Sequence, residues 1–126
     1  MRMRALLFLA ILPLAAPAHA ETWDCSVSTR CVTGESCFDL FDPGMLNLTV
    51  AKDGKSLALE GGGEEGTMRR IDTTATSSTF FDRIDPQTIG FLTLFHDGTL
   101  TLSSHDASNG TTAATASSGI CKKAAD

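Results

Sequence analysis

The stretch Leu92-Thr93-Leu94-Phe95-His96-Asp97-Gly98-Thr99-Leu100-Thr101-Leu102 decides the fold. Leucine alternates with other residues on both sides of His96-Asp97-Gly98, the period of a strand with one buried face and not of a helix. A two-residue Asp-Gly loop would pair Phe95 with Leu100 and divide the leucines between the two faces. A three-residue loop, His96-Asp97-Gly98, pairs Leu94 with Leu100 and Leu92 with Leu102 and keeps all four on one face. This arrangement requires Gly98 at positive φ, as the glycine of a G1 bulge.

The same alternation extends outward along the chain. Trp23, Cys25 and Val27 alternate with Asp24, Ser26 and Ser28; Leu46, Leu48 and Val50 alternate with Asn47, Thr49 and Ala51. A type I′ turn at Asp53-Gly54 would pair Lys52 with Lys55, and hence Val50 with Leu57 and Leu48 with Leu59, again on one face. The run Gly61-Gly62-Gly63-Glu64-Glu65-Gly66 reads as a flexible connection. Further strands are expected around residues 68–73 and 79–83, with Asp85-Pro86 as a turn and a last strand over about residues 112–121. No long stretch carries apolar residues at helical spacing. The expectation is an all-β domain of about seven or eight antiparallel strands, stabilised by disulfides. Its form is a small up-and-down barrel or a compact sandwich, and barrel closure would remove the exposed edges.

The first twenty residues have another character. Arg2 and Arg4 precede an apolar run from Ala5 to Leu12, and Ala18-His19-Ala20 forms a small-x-small cleavage signature, so residues 1–20 read as a secretory signal peptide. The run is shorter than the roughly 20 residues a membrane span needs. The two arginines are not adjacent, and Glu21 stands where a lipid-anchored chain would have Cys, so neither a twin-arginine address nor a lipid anchor is expected. Cleavage after Ala20 of the 126 residues leaves 106, a single β domain over residues 21–126, periplasmic or secreted. That portion carries eight basic against fifteen acidic residues, a net charge of −7. Such a balance excludes nucleic-acid binding through a basic stripe and favours a cationic partner, whether a protein or a small ligand.

Four cysteines, Cys25, Cys31, Cys37 and Cys121, lie in this exported portion, where disulfides persist. Five residues separate Cys25 from Cys31 and Cys31 from Cys37, too many for the paired ligands of a structural zinc site and for a Cys-x-x-Cys redox centre. Two bridges allow three connectivities. Thr33-Gly34-Glu35 supplies a turn that lets Cys31 close on Cys37, which leaves Cys25 to Cys121 and joins the first strand to the last. Loop-closure entropy assigns about 4.5 kcal/mol to the long bridge and about 2.4 kcal/mol to the short one.

Little else looks like chemistry. His96 falls in the hairpin loop, where a solvated turn residue is the ordinary outcome. His105-Asp106 offers half of an acid/base pair or metal site, with no third group placed by a recognised motif. The serines, Ser36 included, lack a Gly-x-Ser-x-Gly elbow. Asp82 and Asp85 do not have calcium-loop spacing, and Gly61-Gly62-Gly63 lacks the Lys-Ser/Thr of a phosphate loop. No catalytic residue, metal or cofactor is expected, and the chain reads as non-enzymatic. The aromatic residues are more informative. With Leu92 and Leu94 inward, Phe91 and Phe95 face the opposite side, and Phe80-Phe81 adds one ring to each side of its strand. Phe91 and Phe95 either pack under a loop or the N-terminal segment, or form an exposed interaction patch.

Trp23-x-Cys25 just after a signal peptide, together with short strands and the closing Gly119-Ile120-Cys121, resembles the ends of small exported β-barrel proteins of proteobacteria. More distantly the chain is similar to the C-type lysozyme inhibitors of Gram-negative bacteria. The resemblance covers the two ends and the strand pattern. It implies a binding module, with inhibition of a cationic hydrolase such as lysozyme or carriage of a small ligand as alternatives. The inhibitors' Ser-Gly-x-Arg-Tyr type loop is missing and the chain has no Tyr, so no inhibitory residue is carried over. A carrier would need an enclosed apolar pocket of ~300 Å³ or more.

Overall fold

The computed structural model describes residues 19–61, 64–108 and 111–124. Eight strands follow one another: β1 (Glu21–Val32), β2 (Phe38–Val50), β3 (Ser56–Gly61), β4 (Glu64–Thr73), β5 (Ser77–Asp85), β6 (Thr88–Phe95), β7 (Thr99–Ser108) and β8 (Thr111–Lys123). Each pairs antiparallel with its chain neighbours, and β8 returns to β1, closing an up-and-down barrel. The sandwich alternative is thereby removed.

Period-2 patterning directs one side chain in two to the interior. Leu92 and Leu94 are buried while Phe91, Thr93 and Phe95 between them are half-buried on the outer wall. Cys25, Leu48, Leu57, Phe80, Leu92 and Leu100 are the largest fully buried side chains. Val27, Met68, Leu94 and Cys121 complete the core, with Trp23, Leu40, Leu46, Val50, Leu59 and Leu102 packed against it. Phe80, 1 % exposed, is the only aromatic ring in this fully buried set.

The hairpin of β6 and β7 closes through His96-Asp97-Gly98, pairing Leu94 with Leu100 and Leu92 with Leu102. Gly98 has φ 92°. Its N–H donates to Phe95 O at 3.0 Å, and its carbonyl accepts from Cys121 N at 2.6 Å, so the bulge also anchors β8. A Cβ at Gly98 would stand 2.7 Å from Cys121 O.

The hairpin of β2 and β3 has the expected register, Val50 with Leu57 and Leu48 with Leu59, but a different turn. Gly54 N donates to Ala51 O at 2.8 Å, so the hydrogen-bonded turn is centred on Lys52-Asp53, with Gly54 at φ 69° after it. Ala51 N donates to Ser56 O, and Lys55 N donates to Asp53 Oδ1, which replaces a ladder bond between Lys52 and Lys55. Loops of two and of four residues have the same parity and bring the same leucines opposite each other. Hydrophobic pairing therefore does not distinguish them.

Strands also run further into the glycine-rich segment than expected. Leu59 pairs with Gly66, Glu60 with Glu65 and Gly61 with Glu64, while Gly62 and Gly63 lie outside the described residues. Asp85-Pro86 forms the expected turn, with Gln87 N donating to Asp85 Oδ1 at 2.8 Å. Residues 1–18, most of the expected signal peptide, are likewise outside the described residues.

Both disulfides have the expected partners, Cys25 with Cys121 and Cys31 with Cys37. Cys25 and Cys121 are directly opposite on β1 and β8, so this bridge crosses the seam that closes the barrel. Two formed disulfides fit an oxidising environment.

Candidate functional site

The groups that might have done acid/base chemistry are kept apart by strand alternation. Thr88 pairs with Asp106 and Ile89 with His105, so the two neighbours on β7 face opposite sides. His105 is on the outer wall, its ring perpendicular to that of Phe91 with centroids 6.1 Å apart. Asp106 turns the other way, its Oδ1 buried with no hydrogen-bond partner among the described residues. A register shift between Arg83 and Asp85 sends Asp82 to Gly90 and Asp85 to Thr88. Among the described residues, no three His, Cys, Asp or Glu side chains are grouped to hold a metal ion. His96 is exposed in its loop. Asp97 beside it has its carboxyl held below the usual range, first by the Thr99 hydroxyl and then by the Thr99 N–H, which donate to Oδ1 at 2.6 and 2.8 Å.

Phe91 and Phe95 both lie on the outer wall and are half-buried, with Thr93 between them. Phe91 belongs to an aromatic row: Phe81 is 5.5 Å away between centroids, and the Arg69 guanidinium lies 6.0 Å over the Phe81 ring. Phe95 is separated from this row by Thr93, whose hydroxyl hydrogen-bonds that of Thr79 at 3.0 Å. Phe91 thus packs beside the rings of Phe81 and His105 on the neighbouring strands.

The most exposed large apolar residue is elsewhere, on β2, which carries three of the five exposed large apolar residues among those described; the others are Ile120 on β8 and Ile71 on β4. Phe41 is 106 % exposed, Met45 63 % and Phe38 44 %. Register explains this. Between the pairs Val27–Gly44 and Thr29–Asp39, β1 contributes one residue, Ser28, while β2 contributes four, from Leu40 to Pro43. The surplus forms an irregular bulge in which Leu40 packs against the core while Phe41, Asp42 and Pro43 are exposed, the proline having no ladder N–H to lose. β3 pairs with β2 from Asn47 to Val50 and its Gly61 lies close beside Met45 and Leu46, so residues 38–44 are the part of β2 with no paired strand on the second edge among the described residues. β1, by contrast, stays paired with β8 as far as Val32, and Thr33 and Ala114 exchange hydrogen bonds at 2.9 and 2.8 Å. The β2 overhang therefore rests on a firm base. It is fastened at its start by Cys31–Cys37 and held across to β1 by Thr29 Oγ1 donating to Asp39 Oδ1 at 3.2 Å.

This surface is both apolar and acidic, since Asp39 and Asp42 bracket Leu40-Phe41 and both are exposed. Sequence reasoning passed over it. The available signal was Leu40-Phe41, two adjacent apolar residues enclosed by aspartates before Pro43-Gly44, which alternation cannot bury on one face.

The core side chains already named cluster inside the barrel. An open groove of about 490 Å³ runs along the outer wall of β2 to β4, lined by polar side chains including Asn47, Thr49, Glu60, Glu65 and Thr67. No described helix is long and apolar enough to cross a membrane. No family model, curated protein or solved structure matches the chain.

Proposed function

We propose that the protein is a non-enzymatic binding module of the periplasm whose contact surface is the β2 overhang and whose partner is a cationic protein. The observation that carries this reading is Phe41, wholly exposed on a disulfide-fastened strand. Burying a Phe side chain on association contributes about 1.5–3 kcal/mol, and a surface already held in place loses little entropy on binding. Asp39 and Asp42 beside it, on an acidic chain, select positive charge and speed encounter. The bulge, Pro43 and the two aspartates also blunt the open strand edge. Contact therefore runs through side chains and not through an added strand. A cationic hydrolase such as lysozyme is the partner class in which this binding would read out as inhibition.

The test compares the oxidised protein with its Phe41→Ser variant against basic and acidic proteins of similar size, lysozyme among them, by calorimetry at low and high salt. Binding to a basic protein is expected, weakened by salt and by Phe41→Ser, with the melting temperature of the variant unchanged. Equal binding by the variant, or a preference for acidic partners, would overturn the proposal. A hydrolase activity assay at stoichiometric protein then separates inhibition from simple association.

A further inference from the structure

The two disulfides differ in their access to solvent. Cys25–Cys121 lies in the core, its cysteines 0 % and 5 % exposed. Cys31–Cys37 stands at the start of the β2 overhang, with Cys37 exposed and Cys31 half-buried. Opening a disulfide requires a thiolate to reach one of its sulfurs, so access decides which bridge is attacked first. The segment fastened by the outer bridge has few other holds. Residues 38–44 have no paired strand on their second edge among the described residues, and on the first edge only Phe38 and Asp39 pair with β1 before the bulge begins. Leu40 packs against the core, and Thr29 Oγ1 donates to Asp39 Oδ1 in an exposed hydrogen bond. The end of β1 does not depend on this bridge. It pairs with β8 as far as Val32, and Thr33 N donates to Ala114 O.

We propose that Cys31–Cys37 is a site of thiol–disulfide exchange with an external dithiol, and that opening it releases the start of β2 while the barrel stays closed. A thiolate of the dithiol attacks Sγ of the exposed Cys37. The bond between the two cysteines breaks, its electron pair leaves on Cys31 Sγ, which takes a proton, and Cys37 is held in a mixed disulfide with the reagent. The reagent's second thiol then attacks its own sulfur in that mixed disulfide, and Cys37 leaves and is protonated in turn. The bridge gains two electrons and the dithiol loses two, with its two protons ending on Cys31 and Cys37. With the ring open, two strand pairs, one exposed hydrogen bond and the Leu40 contact remain to order residues 38–42, which then regain backbone freedom. The buried seam bridge keeps β1 and β8 together. The consequence for binding rests on the overhang being the contact surface: Phe41 is no longer held in advance, and a partner must order it.

The oxidised protein is incubated with dithiothreitol, and free thiols are trapped with iodoacetamide at intervals and located by peptide mapping. Cys31 and Cys37 should be alkylated roughly tenfold or more faster than Cys25 and Cys121. In NMR spectra of the protein with the outer bridge alone opened and alkylated, the signals of Phe38, Asp39 and Phe41 should move. The amides of Phe38 and Asp39 should exchange hydrogen faster, while those of Leu48, Leu92 and Leu100 keep their protection. Cys31→Ala/Cys37→Ala, which carries no alkyl groups, should show the same loosening without reagent and bind a basic protein more weakly than the oxidised parent. Equal or faster release of Cys25–Cys121, loss of the whole fold on opening the outer bridge, or unmoved signals from residues 38–41 would overturn the proposal. Equal binding by the opened protein would overturn its effect on contact. Alkylation and NMR involve no partner. An oxidised parent that binds no basic protein therefore removes the overhang as a contact surface, and these two measurements still decide for or against the exchange site.

Discussion

Replacing Cys25 and Cys121 together by Ser opens the only covalent link across the seam that closes the barrel. The bridge spans 96 residues of sequence against 6 for Cys31–Cys37. Loop-closure entropy puts its contribution at about 4.5 kcal/mol, roughly 2 kcal/mol above that of the short ring. Burial adds to the difference. Cys25 is 0 % and Cys121 5 % exposed, so two serine hydroxyls there would enter the core, at about 1–3 kcal/mol each when unpartnered. Cys37 is exposed and Cys31 half-buried, where a hydroxyl reaches water more readily. The seam variant should therefore lose roughly 6 to 10 kcal/mol, comparable with the ~5–15 kcal/mol that holds a domain folded. It should be unfolded or nearly so at room temperature. The Cys31→Ser/Cys37→Ser variant should melt only about 10 °C lower, at about 4 °C per kcal/mol for a domain of this size. Circular dichroism melts in non-reducing buffer measure both. A Cys25→Ala/Cys121→Ala variant removes the bridge without the hydroxyls and isolates the chain-entropy part. If this alanine pair melts no lower than Cys31→Ala/Cys37→Ala, the reasoning from loop length and seam position fails.

Other positions test separate parts of the fold. Gly98→Ala meets both a positive φ and the Cys121 carbonyl, and should cost about 2 kcal/mol or more by denaturant titration. Phe80→Ala should cost about 3–5 kcal/mol, whereas its neighbour Phe81, outside and against Phe91, should cost no more than about 1.5 kcal/mol; equal losses would contradict the alternation. Asp97 has a folded pKa below its ordinary value, so its contribution to stability is present above that ordinary value and disappears as pH falls through the lowered one. Thr99→Ala should move the Asp97 titration midpoint upward in a carboxyl NMR experiment, and an unmoved midpoint would show that the Thr99 hydroxyl is not the cause.

Local periodicity made much of the barrel legible. Leu92, Leu94, Leu100 and Leu102 could share a face only through an odd loop, which placed Gly98 at positive φ before any tertiary contact was considered. Val50, Leu57, Leu48 and Leu59 specified register in the same way, but left the turn between them open because loops of two and four residues are equivalent in parity. The short turn after Cys31 determined both disulfides, since closing one ring left a single partner for Cys25.

Phe41 and the barrel mouth were not legible, and the reason is common to both. A period of two says which residues share a face of a strand, but not how many residues two strands spend between successive pairs. The four residues of β2 opposite Ser28 arise only when β1, already held by β8, fixes where β2 must rejoin it. In the same way, Trp23 and Arg70 come together only because the barrel closes, bringing β1 and β4 to one rim. The sequence by itself determined strands, faces, one bulge and two bridges, all consequences of local alternation and turn chemistry. Closure, the surplus in β2 and the meeting of Trp23 and Arg70 at one rim were decided by pairings between distant strands, whose geometry no local pattern contains.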